Sequence, residues 1–260
     1  MFDAEMKSAY ATEITQESLE ALINNEILAI RMRNFVSPDA IYAATRVIKH
    51  QTANSTYTWS KDFGVIGVSV GEAHESAEKE QEYFERAPET DRLIQSIFSG
   101  GSPIATISRS IACSWAHGLQ VARKDGQMFL PEIIRHWRTG GGANPHIDQT
   151  RTPLLAHLDL KKRLGCNVYM DMPTEGGAIE FWGHRFTDEE YEAAKRSDYG
   201  LDRDVLGDPG LKIRPCAPEA ILFDASLPHA VEEAKGEGDR IVNASFFAFS
   251  DFDKPLVQFA

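Results

Sequence analysis

Cysteine is scarce: the 260-residue chain has three, Cys113, Cys166 and Cys216. They lie far apart with no Cys-x-x-Cys pair, which excludes a disulfide framework and a thiolate zinc site and leaves them as reduced core thiols. No apolar run approaches the roughly 20 residues that a membrane-spanning helix needs, so no membrane partner is expected. The opening MFDAEMKSAYATEITQ is polar and acidic, without the basic-then-apolar layout of a signal peptide. The chain is therefore expected to be cytoplasmic. Basic clusters are also missing: against a formal charge of −12, nothing exceeds Lys161-Lys162-Arg163, a segment that reads as surface, and no nucleic-acid partner is expected. There is no internal repeat and no low-complexity tract.

What is present is an ordinary globular composition, 42% hydrophobic over 260 residues, enough for one domain with additions. Residues 1–128 read as a mixed helical and strand support region, 129–252 as the catalytic core, with a helical insertion near 187–197. Ile27 to Val36 reads as a strand, and Ser37-Pro38-Asp39 supplies an N-cap with proline at the first helical position, opening a helix to about His50. The Glu-rich segment from Glu72 to Arg86 carries charge on most faces and reads as a solvated helix or loop. Trp59 to Phe63 could reach a pocket. Between Asp91 and Lys124, Leu93, Ile94, Ile97, Phe98 and then Ile104, Ile107, Ile111, Trp115 and Leu119 recur at helical spacing, broken by Gly100-Gly101-Ser102-Pro103. Two helices joined by a turn follow, with Trp115 and His117 read as core or helix surface.

From Phe129 the texture changes to short β-like runs: Pro131 to Arg138, Cys166 to Met172, Ala178 to Trp182, Leu211 to Arg214, Ala220 to Phe223 and Arg240 to Ser250. Pro173-Thr174-Glu175-Gly176-Gly177 reads as a hairpin turn between two of them. Thr187-Asp188-Glu189-Glu190 is a capping box opening a helix to about Arg196. This pattern favours an α+β chain with a double-sheet barrel over a doubly wound fold.

His-x-Asp occurs twice, at His146-Ile147-Asp148 and at His157-Leu158-Asp159. In an extended segment residues i and i+2 share a side, so either pair can reach one ion, and spacing alone does not choose. Context favours His146 and Asp148, which follow a strand and the glycine turn Gly140-Gly141-Gly142, whereas the second copy runs into Lys161-Lys162-Arg163. A third ligand is available at His229, where the apolar strand from Ala220 ends. His229 alone would read as a buried, hydrogen-bonded histidine. Beyond it, Arg240 opens an otherwise apolar strand, and a buried guanidinium there needs an anion, which a dicarboxylate co-substrate would supply to its two-donor fork. Two histidines and a carboxylate leave three positions open on iron(II), while zinc prefers four-coordinate closure.

At these residues the sequence resembles the iron(II)/2-oxoglutarate-dependent oxygenases, whose pattern is His-x-Asp, a distal His and an Arg about ten residues beyond it. Gly165 to Pro173, Glu175 to Trp182 and Tyr199-Gly200-Leu201-Asp202 look like the branch of hydroxylases and halogenases acting on free amino acids and other small metabolites. The resemblance implies a double-stranded β-helix (jelly-roll, cupin-like) core with the N-terminal helices packed on one sheet. It also implies His146, Asp148 and His229 as iron ligands and Arg240 as the partner of the far carboxylate of 2-oxoglutarate, with Fe(II), 2-oxoglutarate and O₂ as cofactors. The implied reaction is hydroxylation of an unactivated C–H bond of a small metabolite, an amino acid or its derivative, with release of succinate and CO₂. Halogenases of this branch carry Gly or Ala where Asp148 stands, so halogenation is disfavoured. Desaturation or cyclisation, a nucleoside-type substrate, and a non-catalytic cupin-like binding protein are the alternatives.

The family often places Ser or Thr two residues after the Arg, but here Val242 stands there and Asn243 and Ser245 have the opposite parity. Asn167 or Tyr169 is expected to complete the co-substrate site. For the small-molecule substrate, Asn144, Arg135, Trp137 and Trp182 are the candidates, with Gln149, Thr150 and Arg151 near the first ligand pair. The sequence is compatible with a homodimer.

Overall fold

The computed structural model describes residues 10–53, 62–73, 75–150, 152–195 and 200–260. In chain order the elements are β1 (Tyr10–Ala11), α1 (Gln16–Ile23), β2 (Ala29–Arg33), α2 (Pro38–Gln51), β3 (Phe63–Ile66), α3 (Val70–Ala73), α4 (Ala77–Ile97), α5 (Pro103–Ser114), β4 (Leu119–Val121), β5 (Arg123–Lys124), β6 (Gln127–Met128), β7 (Ile133–Trp137) and β8 (Ala143–His146). There follow β9 (Lys162–Asp171), β10 (Glu175–Gly176), β11 (Ile179–Phe181), α6 (Asp188–Ala194), α7 (Arg203–Leu206), β12 (Leu211–Ile213), β13 (Glu219–Asp224), β14 (His229–Val231), β15 (Ala234–Lys235), β16 (Arg240–Phe249) and β17 (Leu256–Phe259).

A nine-stranded major sheet runs β1-β2-β13-β9-β16-β17-β4, with β7 added beside β16 and β3 beside β7. A four-stranded minor sheet runs β12-β11-β14-β8. The central strand β16 is buried along its whole length, because both of its faces are covered. Val242, Ala244, Phe246 and Ala248 join Phe181 and Ile179 of the minor sheet in the cluster between the sheets. Phe247 and Phe249 point the other way, onto α1 and α5, and Ile241 lies under α2 and α4. The architecture is the expected jelly roll with the N-terminal helices on one sheet.

Those helices form for local reasons. Ser102 accepts the Ala105 N–H at 3.0 Å with Pro103 following it, and Ile104, Ile107 and Ile111 make the buried stripe of α5. The α2 entry through Ser37-Pro38 is as read, and the strand before it shortens to β2. Trp115 is buried and His117 exposed, as expected. Of the Glu-rich segment read as a solvated helix or loop, residues 77–86 are helical but not solvated on every face: they open the 21-residue helix α4, which tolerates Pro88 and buries Tyr83, Phe84, Ala87 and Ile94. The Tyr83 hydroxyl accepts the Leu130 N–H at 2.9 Å and donates to the Ala260 carbonyl at 3.1 Å. Glutamates on the remaining faces hide this stripe from a reading of charge.

The Pro173–Gly177 segment is also corrected: it is a crossover from β9 in the major sheet to β11 in the minor sheet, and β10 pairs with β15 rather than closing a hairpin. Gly176 has φ +66, and a Cβ there would lie 1.9 Å from the Glu233 carbonyl oxygen, so the corner requires glycine. Among the described residues no helix is long and apolar enough to cross a membrane.

Candidate active site

β8 and β14 are antiparallel neighbours in the minor sheet, and their register sets His146 opposite His229. The ring centroids are 4.3 Å apart. Asp148, just beyond β8, is fixed by its N–H to the Ala225 carbonyl at 2.9 Å, and its Oδ2 lies 3.5 Å from His229 Nε2. One potential ligand atom from each of His146, Asp148 and His229 falls within 4.8 Å of the others. Ile147 packs oppositely, against Tyr191 and Leu201, so the helical insertion braces the back of the pair. The capping box of that insertion is present, with Thr187 and Glu190 satisfying each other's backbone N–H groups.

Each histidine binds a backbone carbonyl two residues before it: His146 Nδ1 to Asn144 O at 2.8 Å, His229 Nδ1 to Leu227 O at 2.9 Å. A carbonyl only accepts, so Nδ1 carries the proton and the Nε2 lone pairs are left to face the common point. Burial holds the His146 pKa down to about 4, which keeps the ring neutral. Burial opposes ionisation of Asp148, but the charge of Arg163 outweighs it and holds its pKa below the usual carboxylate range. His229 does not end the strand from Ala220, as read from sequence. It opens β14, a separate strand in the other sheet after the Ser226-Leu227-Pro228 turn.

Arg240 likewise lies on the major sheet, facing β14 across the barrel rather than beside it. Its guanidinium carbon sits 4.6 Å from the Trp137 ring centroid and 5.1 Å from that of Tyr169, and Nε donates to Gly177 O at 3.2 Å. The side chain is 1% exposed, yet Arg240 Nη1 and the Tyr169 hydroxyl have no hydrogen-bond partner. Burial depresses the Arg240 pKa and raises that of Tyr169. Tyr169 and half-buried Asn167 share the inner face of β9. Asn243 and Ser245 turn outward, Asn243 to the Ile104 N–H and Glu132, Ser245 to the Pro131 carbonyl.

Of the substrate candidates, Trp137 and Arg135 lie on the inner face of β7, the Trp137 ring tilted against that of Phe63 with centroids 4.6 Å apart. Trp182 does not reach the site: it follows outward-facing Glu180, bonds Gly207 O at 2.9 Å and lies under Arg203. The Asn144 side chain is exposed; its carbonyl is what serves His146. Gln149 and Thr150 line a cleft of about 300 Å³ at the Asp148 flank, with Phe186 and Ser226. Trp59, Arg151 and Tyr199 lie outside the described residues. Sequence reasoning missed Arg163, which is not surface but 5% exposed and inward-facing on β9. It also missed Phe223 and Phe181, which wall His229 at 5.1 and 6.5 Å. The signal for Arg163 was its period-2 alignment with Asn167 and Tyr169.

The fold is that of the solved dioxygenases to which the chain is similar. Residues 5–257 match the model of the family described as carrier-protein-independent halogenase WelO5, and the chain belongs to that family. A stretch of 85 residues is 33% identical to L-gamma-glutamyl-L-propargylglycine hydroxylase of Streptantibioticus cattleyicolor, covering 32% of this chain and 31% of that protein. In architecture the chain is similar to an N-substituted L-amino acid dioxygenase from Burkholderia ambifaria AMMD, at TM-score 0.66 and 14% identity over 94% of this chain and 91% of that one. The same dioxygenase in complex with alpha-KG gives TM-score 0.61 at 16% identity, over 93% and 90%.

Proposed function

We propose that the protein is an Fe(II)/2-oxoglutarate-dependent dioxygenase that hydroxylates an unactivated C–H bond of a small molecule, a free amino acid or amino-acid derivative. The observation that carries this reading is the Asp148 carboxylate in one cluster with His146 and His229. The residues fit the group. Two neutral imidazoles and a carboxylate suit iron(II) and leave coordination positions for a co-substrate and O₂. The unpartnered Arg240 Nη1 and Tyr169 hydroxyl suit a carboxylate. When bound, iron, 2-oxoglutarate and O₂ would supply the oxidation, giving hydroxylated product, succinate and CO₂.

The chain's own work is positional. His146 and His229 hold their Nδ1 protons on backbone carbonyls and present Nε2 to the metal. Asp148 offers an ionised carboxylate, stabilised by Arg163. Arg240, steadied by Gly177 and Trp137, would grip the far carboxylate of the co-substrate with Tyr169, and Phe181 and Phe223 exclude water around His229. The relatives' printed substrates, a gamma-glutamyl amino acid and N-substituted L-amino acids, support an amino-acid-type substrate. The three free cysteines accord with a cytoplasmic location.

Halogenation is the second reading, favoured by the family description. It requires a position for halide that Asp148 fills. Purified protein with Fe(II), 2-oxoglutarate, chloride and a panel of amino acids and derivatives should release succinate and yield a product heavier by one oxygen. A product in which hydrogen is exchanged for chlorine would replace this reading with halogenation.

A further inference from the structure

We infer that Arg163 and Arg135 form a second anion-binding pair inside the barrel, on the Asp148 side of the metal position, which grips the carboxylate of the substrate. The inference rests on the proposed function and narrows its substrate to molecules with a free acid group.

On the inner face of the major sheet Glu219 pairs with Arg31 and Arg33 of β2, whereas Arg135, Arg163 and Arg240 on the central strands have no such carboxylate. On β9, Arg163, Gly165, Asn167 and Tyr169 alternate inward. On β7 the inward set is Ile133, Arg135 and Trp137, and register places Arg135 beside Val242 and Trp137 beside Arg240. Among the described residues, no ion pair is made by Arg135, Arg163 or Arg240. Arg163 and Arg240 are buried and Arg135 is half-buried; a buried positive charge without a partner is costly, so this part of the face is built for anions. The co-substrate answers Arg240, and the metal claims Asp148, the carboxylate whose charge acts most directly on Arg163. Arg135 and Arg163 are then left without counter-charge.

Arg163 is also shaped for the task. Its guanidinium lies 3.6 Å from the Phe246 ring centroid and 5.1 Å from that of Phe259, which fixes its plane. Nε is buried without a partner, and Nη1 has only a 3.3 Å bond to the Gln149 carbonyl. A fork held flat with donors unspent matches the two coplanar oxygens of a carboxylate better than an amine or a single halide. Register sets Arg135, through Val242, level with Tyr169 and one inward pair from Arg240 towards Arg163, so its side chain enters the barrel between the Arg240 and Arg163 forks. An acid held by both would lie between the Arg163 fork and the Arg240 subsite.

The test uses protein loaded with Fe(II) and 2-oxoglutarate without O₂. The twenty L-amino acids and their N-acetyl derivatives are compared with the primary amides of each by thermal shift, then by calorimetry on the best acid. At least one acid should bind, with its amide weaker by at least about tenfold. Arg163→Gln and Arg135→Gln should each weaken the acid about tenfold or more and erase the preference over the amide, and Arg163→Lys should recover part of it. Any loss of 2-oxoglutarate affinity should be smaller than the loss of acid affinity in all three variants.

Amides matching acids, or no acid binding, would overturn the pair. So would an Arg163→Gln protein that loses iron but keeps the acid preference, since Arg163 would then serve Asp148 alone. If Arg163→Gln fails to fold by circular dichroism, Arg135→Gln decides. Succinate release with O₂ separates the two levels: turnover triggered equally by acid and amide keeps the hydroxylase and rejects the pair. Acid-selective binding without succinate keeps the pair and rejects the hydroxylase.

Discussion

The two His-x-Asp segments share a spacing and differ in everything around it. His146 ends β8, where antiparallel pairing sets it opposite His229, and its Nδ1 donates to a carbonyl so that Nε2 stays available. His157 sits in a short 3-10 turn, Ala156–Leu158, exposed, and spends Nε2 on the Arg123 carbonyl at 2.8 Å. The second ring is thus held in the opposite tautomer and stacked on Phe129 at 6.3 Å. Asp148 is braced from behind by Ile147 in an apolar wall, whereas Asp159 is exposed in the left-handed region at φ 48. A ligand pair is made by strand register, by the nitrogen the backbone leaves free, and by what packs behind it. Sequence spacing supplies none of these.

The comparison breaks most directly at the histidines. His146→Ala or His229→Ala should lower Fe(II) affinity by more than about 100-fold, since removal of even a supporting group around a metal commonly costs 10–100-fold. Metal content after dialysis measures it, and iron retained at wild-type stoichiometry would remove the first copy from consideration.

Asp148→Ala keeps both imidazoles and tests the carboxylate alone. Hydroxylation should fall below detection while weakened iron binding persists, as read by product mass spectrometry and metal content. Asp148→Gly with excess chloride sharpens the point, because it restores the residue that halogenases of this branch carry. A variant that still hydroxylates normally would sink the assignment of Asp148. The next effect in size belongs to Arg240, a facing group that the second copy lacks altogether. Arg240→Gln should raise the KM for 2-oxoglutarate by at least about 30-fold, about 2 kcal/mol, as for a truncated buried charge pair. Iron content should not change.

The clustering of His146, Asp148 and His229 was legible because these are rare residue types at tell-tale positions: a His-x-Asp pair after a glycine turn and a histidine beside Pro228. The jelly roll was legible through short strands between glycine and proline turns. Facing was harder. Trp182 and Phe181 are adjacent, and only the register of β11 with β14, Phe181 against His229, decides that Phe181 enters the barrel and Trp182 leaves it. Arg163 was hidden because Lys161-Lys162-Arg163 reads as one solvated run, although β9 begins at Lys162 and alternation sends Lys162 toward Asp224 and Arg163 inward. The Pro173–Gly177 corner uses the residues of a hairpin, so local turn chemistry could not reveal that the chain changes sheets there.

The smallest effects belong to the second copy. His157→Ala removes an exposed hydrogen bond and a ring contact, so iron stoichiometry and turnover should match the unaltered protein and stability should fall by about 1 kcal/mol or less. Asp159→Gly is milder still. At φ 48 the aspartate occupies backbone space that costs an L-residue energy and glycine none, while glycine adds freedom to the unfolded chain. These terms oppose, and the net change in stability should stay within about 0.5 kcal/mol. Denaturant midpoints and metal content measure both variants. Loss of iron from either one would mean that the second copy reaches the metal after all, against an exposed carboxylate and an imidazole already committed to Arg123.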